Sequence, residues 1–404
     1  MHILLIADGR SAITRGWIRM LGGMQVRVSL VSTFPCDPPE GIELLGVLPA
    51  GFAALAGGQV PITGQPDAAG GTNWKRALLN ASRPMLRALR AYLAPLTLGI
   101  FKRRLAEICA RTQPDLAHAL RIPFEGMLAA DLPASIPLVV SIWGNDLTLH
   151  ARSSFLMAAH TRRTLRRADG LLADAVRDTR LAAEWGLRDS SPRLVLPGNG
   201  GLDFDLIQAS WAERQSHSPF DLPDGRPLVV NPRGFRPGSV HQDTFFKSIP
   251  LVLESVPDAF FVCTAMRGQP QAENWVNKLG LENHVLLLPY LPQSDLWRLF
   301  SRSQVYLSLS SHDGTPNTFL EAAACGCFPV AGDIESLREW ISDGENGLLV
   351  NPLDAQAAAN AVVRAIGDSQ LRKQARERNQ VLLAQRADIR MVRQQYSEFI
   401  SQLK

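Results

Sequence analysis

Thirteen short apolar runs punctuate this chain, and patterns of helical period lie between most of them. In the first half the runs fall at 2–7, 26–32, 43–48, 115–119, 137–142, 171–174 and 193–196. In the second they fall at 227–231, 259–264, 284–288, 304–309, 328–331 and 347–350. Stretches such as Ile3-Leu4-Leu5-Ile6 and Leu138-Val139-Val140 show little polar alternation, so strands built from them are buried on both faces. Strands of that kind, separated by helices, make parallel sheets covered on each side. Two sets in tandem predict an α/β chain with two Rossmann-like domains. Their ligand belongs at the carboxyl ends of the strands, in a cleft between the domains. A length of 404 residues accommodates two domains of ordinary size.

Composition narrows the class further. Apolar residues make up 46% and charged residues 20%, which fits a globular enzyme and excludes a disordered chain. No apolar run is long enough to span a bilayer. The stretch Met1 to Gly9 has no basic region and reads as a first buried strand, not a signal peptide. Five scattered cysteines include Cys325 and Cys327, too close together and without a matching pair for a standard zinc site. Reduced thiols, a cytoplasmic home and no metal are the expectation. Charge is unevenly spread: residues 1–200 carry 23 Lys and Arg against 15 Asp and Glu, while the remainder carries 19 against 23. The two halves are therefore expected to meet different partners.

The glycine-rich turn from Leu196 to Phe204 marks a boundary. It divides the chain into a first domain over 1–198, a second over 199–384 and a tail over 385–404. Residues 209–226 read as a linker and 56–73 as a mobile loop. The tail spaces Ile389, Val392, Tyr396, Phe399 and Ile400 as one apolar helix face.

The stretch carrying most chemistry is Asp313-Gly314-Thr315-Pro316-Asn317-Thr318-Phe319-Leu320-Glu321. It follows a buried strand and opens a helix. Free N–H groups at such a helix start, with the positive end of its dipole, suit a phosphate. Glu321 lies inside the helix, where a carboxylate accepts hydrogen bonds from sugar hydroxyls, and Asp313 sits at the mouth. A diphosphate cradle flanked by two hydroxyl acceptors is the geometry a nucleotide-sugar requires.

These residues, with Gly326, Pro329 and Val330 downstream, resemble the donor site of retaining GT-B glycosyltransferases of family 4. That family carries two glutamates eight positions apart; here Asp313 stands for the first and Glu321 for the second. Glu339-Trp340-Ile341 and Gly347-Leu348-Leu349-Val350 are similar to the family's next segment. The resemblance implies a GT-B fold, two Rossmann-like domains with parallel sheets facing across a cleft, and a last helix crossing back onto the first domain. It also implies a donor site in the second domain, formed by Arg233, Asp313, Gly314, Thr315, Pro316, Asn317, Thr318 and Glu321. Arg233 matches the family's arginine on the donor diphosphate. The family's lysine is missing, and Arg236 is the candidate second charge, or else a surface ion-pair partner.

In the first half, Trp143-Gly144-Asn145-Asp146 follows a strand and resembles the subgroup with a Trp-Gly-Ser-Asp turn. Asp146 there is a candidate catalytic base or the cap of the next helix. His118 ends another strand and is a candidate catalytic residue or a packed histidine. Gly9, Arg121, Trp143 and Asn145 are the candidate acceptor-side residues. A basic helical stretch over 74–111, joined by Arg162, Arg163, Arg166 and Arg167, suits an anionic membrane surface or is simply a solvated face. It lacks the aromatic interleaving of a nucleic-acid reader.

The resemblance thus implies a transferase that moves a sugar from a UDP- or GDP-sugar to a hydroxyl, without a metal or other cofactor; the basic first half points to a lipid-linked or saccharide acceptor and to a cytoplasmic place at or near the inner membrane face. The alternatives are a GT-B epimerase or phosphorylase, a non-catalytic nucleotide-sugar-binding subunit, and a membrane-associated scaffold.

Overall fold

The structure is a computed structural model that describes residues 1–52, 92–212 and 221–403. The loop expected over 56–73, the basic stretch as far as residue 91 and the middle of the linker lie outside the described residues. Two compact units emerge. The first comprises Met1–Gly200 with Val392–Lys404, and the second Gly201–Met391.

The first unit holds a sheet of seven strands, β1 (His2–Ala7), β2 (Arg27–Ser32), β3 (Glu43–Val47), β4 (Leu116–Ala119), β5 (Leu138–Ile142), β6 (Gly170–Ala173) and β7 (Arg193–Val195). Their spatial order is β3-β2-β1-β4-β5-β6-β7, and each pairing is parallel. The second unit holds β8 (Leu228–Asn231), β9 (Phe260–Cys263), β10 (Val285–Leu287), β11 (Val305–Ser308), β12 (Phe328–Gly332) and β13 (Leu348–Val350), in the order β10-β9-β8-β11-β12-β13. Each sheet therefore reverses direction once, between β1 and β4 in the first and between β8 and β11 in the second. Such a switch point separates the loops that leave its two strands and opens a crevice at their carboxyl ends.

Burial explains the strand sequences. β1, β4, β5 and β6 are buried at every position, as are β8, β11 and β12, so helices cover both faces of each sheet centre. Separate apolar cores fill the two units. The last helix, Ile389–Ser401, places Tyr396, Phe399 and Ile400 in buried positions. Tyr396 packs with Trp17 of the helix Ala12–Gly22 and stacks on His118 at a centroid distance of 5.7 Å. This packing is what ties the tail from Val392 onward to the first unit.

One glycine is demanded by close approach. Gly16 lies against Asn199 and Gly200, and a Cβ there would collide with the carbonyl oxygen of Asn199. The indole Nε1 of Trp17 donates to Gly198 O at 2.9 Å beside it. The glycine-rich turn read as a boundary is thus also a docked segment of the first unit.

Candidate donor site and the carboxyl ends of the first sheet

Arg233 and Asp313 leave the two strands that flank the switch point of the second sheet. Arg233 follows β8 and Asp313 follows β11. The backbone N–H of Arg233 donates to Asn231 Oδ1 at 3.1 Å, and Asn231 is fixed in turn by Gln242, whose Oε1 accepts from Asn231 Nδ2 at 2.8 Å. So anchored, the buried Arg233 side chain reaches across the switch point and pairs through Nη2 with Asp313 Oδ2. Its Nε is buried and finds no hydrogen-bond acceptor among the described residues.

Three elements hold the Asp313 loop. Ser239 Oγ donates to His312 O, Ser336 Oγ donates to Asp313 O at 2.9 Å, and Trp340 Nε1 donates to Thr315 Oγ1 at 2.9 Å. The loop then enters the helix Asn317–Ala324, which Pro316 precedes without any side-chain cap. Gly314 N–H is already used by Asp313 Oδ1 at 3.1 Å. The amides of Asn317 and Thr318 stand in the first turn, where no intrahelical acceptor exists.

Glu321 lies one turn further along, buried, with Oε1 accepting from Gln293 Nε2 at 2.9 Å. Gln293 begins the helix Gln293–Arg302 and carries no sequence signal that marks it. Arg236 is exposed, and its carbonyl accepts from the amides of Ser239 and Val240. The arrangement therefore brings together Arg233, Asp313, the helix start and Glu321. Gln293, Ser239, Ser336 and Trp340 were not identified as site residues from sequence. Only Trp340 had a cue, through its place in the downstream segment.

In the first unit His118 takes the packed one of its two expected roles, and Asp146 takes neither of its two. His118 is wholly buried, with Nε2 bonded to Ser141 Oγ at 2.8 Å and Nδ1 to Tyr396 OH at 3.2 Å. Burial pushes its pKa down to about 3. With both ring nitrogens occupied, it is placed for packing and not for proton transfer. Asp146 is also wholly buried. It accepts from Arg121 Nε at 2.9 Å and from the amides of Ile122 and Trp143, each at 3.3 Å. It therefore ties the ends of β4 and β5 together as a counter-ion. It is neither a helix cap by its side chain nor an open base.

Arg121 also stands over Trp143, 5.2 Å from the ring centroid. The Trp143 Nε1 and Asn145 Oδ1 atoms are buried without a hydrogen-bond partner among the described residues. Gly9 donates its N–H to Ser32 Oγ at 3.0 Å, and a Cβ there would meet Cys36 Sγ, so its role in this fold is close strand-end packing. Sequence reasoning passed over Glu125. It lies just after the end of β4 in a segment where Phe124 has φ 70°, and it accepts from Thr33 Oγ1 at 2.9 Å. Burial raises its pKa to about 7, against the opposing pull of Arg121.

Two doubly wound parallel sheets in tandem define the GT-B fold class. Residues 215–381 match the glycosyl transferases group 1 family model, and residues 91–175 match the glycosyl transferase 4-like model, so the chain is related to glycosyltransferases of both types. A 2-deoxystreptamine N-acetyl-D-glucosaminyltransferase of Streptomyces fradiae is 28% identical over 383 residues, covering 87% of this chain and 84% of that one. The other curated relatives match over 83 to 101 residues, 10% to 25% of their own length. Among solved structures, Anabaena HepE in complex with UDP-glucose superposes over the whole of both chains with TM-score 0.70 at 18% identity. The α,α-trehalose 6-phosphate synthase of Burkholderia multivorans does so with TM-score 0.74 at 14% identity, over 100% of this chain and 98% of that one. At such identities these structures establish the fold alone.

Among the described residues no grouping of three His, Cys, Asp or Glu side chains could hold a metal, and no helix is long and apolar enough to cross a membrane.

Proposed function

We propose that this chain is a retaining glycosyltransferase that moves a sugar from a nucleoside diphosphate donor, UDP- or GDP-linked, to a hydroxyl of a saccharide or lipid-linked acceptor. The observation that carries the reading is Arg233, a buried guanidinium at the β8–β11 switch point beside a helix start without a side-chain cap. A diphosphate there would meet Arg233, the amides of Asn317 and Thr318, and Arg236 at the rim. Glu321 would take the ribose hydroxyls, and Asp313 with Gly314, Thr315 and Pro316 would border the sugar.

In the reaction, the acceptor oxygen bonds to the anomeric carbon as the bond from that carbon to the diphosphate oxygen breaks. The electron pair leaves with the diphosphate, and the hydroxyl proton passes to a departing phosphate oxygen. Fixed positive groups at the leaving oxygens supply the stabilisation. This course needs no side-chain nucleophile on the donor face, and it is consistent with a His118 that has no nitrogen to offer. The Streptomyces relative is named for a sugar transfer, and HepE holds UDP-glucose, in keeping with this reading.

The test is thermal unfolding against a panel of nucleoside diphosphates and their sugars, on wild type and Glu321→Ala. Ligand at a hundredfold excess over its Kd stabilises by roughly 2.7 kcal/mol, a clear rise in Tm. A rise with one nucleotide that the variant loses is expected; no rise with any nucleotide would overturn the reading. A second reading, a nucleotide-sugar-binding subunit without turnover, draws on the engagement of Asp313 by Arg233. It would be favoured by tight nucleotide binding with no donor consumption in the presence of any saccharide or lipid-linked acceptor.

A further inference from the structure

Two helices of the first unit begin with large apolar side chains that are exposed among the described residues. Residues 92–112 run through a 3-10 turn, Ala94–Thr97, into the helix Leu98–Thr112, and the neighbouring helix is Phe155–Arg167. Leu96 is 64% exposed, Ile100 72% and Phe155 71%, with Tyr92 and Leu93 also exposed. The patch is continuous between the helices, since the rings of Tyr92 and Phe155 lie 6.2 Å apart. Lys102 and Arg163 both pair with Asp131, which locks the two helices side by side.

Scattered single apolar side chains on a surface need no explanation, but a contiguous group of five does. What surrounds this group identifies its partner. One turn beyond Ile100 come the exposed Arg103 and Arg104, and the exposed Arg152 stands three residues before Phe155. None of these three arginines makes an ion pair among the described residues, and Glu107 is the acidic residue that interrupts them on the first helix. An apolar tip bordered by unpaired cations matches a surface that is anionic outside and apolar just beneath, which is the interface of a bilayer containing acidic phospholipids. A protein partner would not need the arginines to stand unpaired around the tip.

We infer that the helix starts carrying Tyr92, Leu96, Ile100 and Phe155 form a peripheral membrane-docking site, with Arg103, Arg104 and Arg152 engaging acidic headgroups. The site stands apart from the transferase reading, because none of its residues belongs to the donor site. It would bring an enzyme of this kind to lipid-borne acceptors.

The experiment is flotation of the full chain with phosphatidylcholine vesicles, with and without phosphatidylglycerol. Wild type is expected to float only with the acidic vesicles, and less so as salt rises. Each arginine near an acidic surface is worth roughly a fivefold change in partitioning, so Arg103→Glu with Arg104→Glu should weaken binding by about 25-fold or more. Ile100→Ser with Phe155→Ser should abolish flotation while leaving the thermal transition in place, because both side chains are in solvent. The charge variant keeps the test valid if the apolar variant misfolds. Absence of flotation with acidic vesicles overturns the inference, as does flotation that neither variant alters. Wild-type self-association that the Ile100→Ser/Phe155→Ser variant removes, with no vesicle binding, would assign the patch to a contact between copies of the chain. Loss of flotation with nucleotide binding intact separates this site from the donor site.

Discussion

Arg233 and Asp313, eighty residues apart in sequence, form an ion pair across the switch point of the second sheet. Each was read from sequence as a donor contact in its own right. In the folded chain each is the other's partner, so a diphosphate that binds here takes over a charge that Asp313 now balances. Under the proposed function, ligand entry would be an exchange of one anion for another at a guanidinium that is already desolvated and aimed. That is the form in which a cationic group stabilises a leaving phosphate without reorganising at the moment of reaction.

The exchange predicts an unusual response in Asp313→Asn. The amide keeps the shape of the carboxylate and can still accept from Gly314 N–H, but Arg233 loses its counter-charge. A cost of about 1–3 kcal/mol is expected, below the range for fully buried pairs because the Asp313 side chain is partly exposed. Bound nucleoside diphosphate should then raise Tm more in the variant than in wild type. Equal stability of the two proteins without ligand would refute the buried-charge account.

Glu321→Ala should weaken nucleoside diphosphate binding by about 10- to 100-fold, the loss of hydrogen bonds to a charged acceptor. Inorganic pyrophosphate should bind both proteins alike, because Glu321 is assigned to the ribose. Calorimetric titration with the two ligands decides the matter. If pyrophosphate affinity falls as far as nucleotide affinity, the variant has disturbed the helix start and not a ribose contact.

Stability should depend on pH through two buried groups of the first unit acting in opposite directions. His118 is held neutral with a pKa of about 3, below the ordinary 6.5, so the unfolded chain binds the extra proton between those values. Its contribution is lost as pH falls from about 6.5 towards 3, at roughly 1.4 kcal/mol per pH unit. Glu125 has its pKa raised to about 7 from 4.5, so the folded chain binds the extra proton in between. Its contribution is present below about 4.5 and lost as pH rises through 7. Glu125→Gln should therefore stabilise the protein at pH 8, by an amount on the order of 3 kcal/mol, and leave it little changed near pH 4. Urea denaturation at both pH values measures this, and an equal effect at the two would show that Glu125 does not titrate as described.

Gly16→Ala should destabilise the first unit by about 1–3 kcal/mol, because the new Cβ meets a backbone oxygen that cannot rotate away. A shift of the urea midpoint to lower concentration, with the slope unchanged, is the expected record. A midpoint equal to wild type would mean that the backbone at Asn199 and Gly200 moves freely off the helix.

The sequence by itself determined the thirteen strands, each placed within one residue at either end, because runs such as Ile3 to Ile6 and Val229-Val230 leave no polar face for a half-exposed strand. It also determined that Asp313 and Glu321 flank a helix start, since glycine, proline and spacing are local facts. It could not order the strands within a sheet, and so could not show that Arg233 and Asp313 would meet. The partners Gln293, Ser239 and Ser336 are ordinary polar residues until the sheet gathers them around one loop. The same limit left the two roles of His118 open in sequence and hid the counter-ion role of Asp146. A histidine or aspartate at a strand end looks alike in sequence whether it opens to solvent or is sealed by Tyr396 or Arg121, and those partners come from distant parts of the chain or from a neighbouring strand end. Burial is a property of what packs on a residue, and only the tertiary structure decides it.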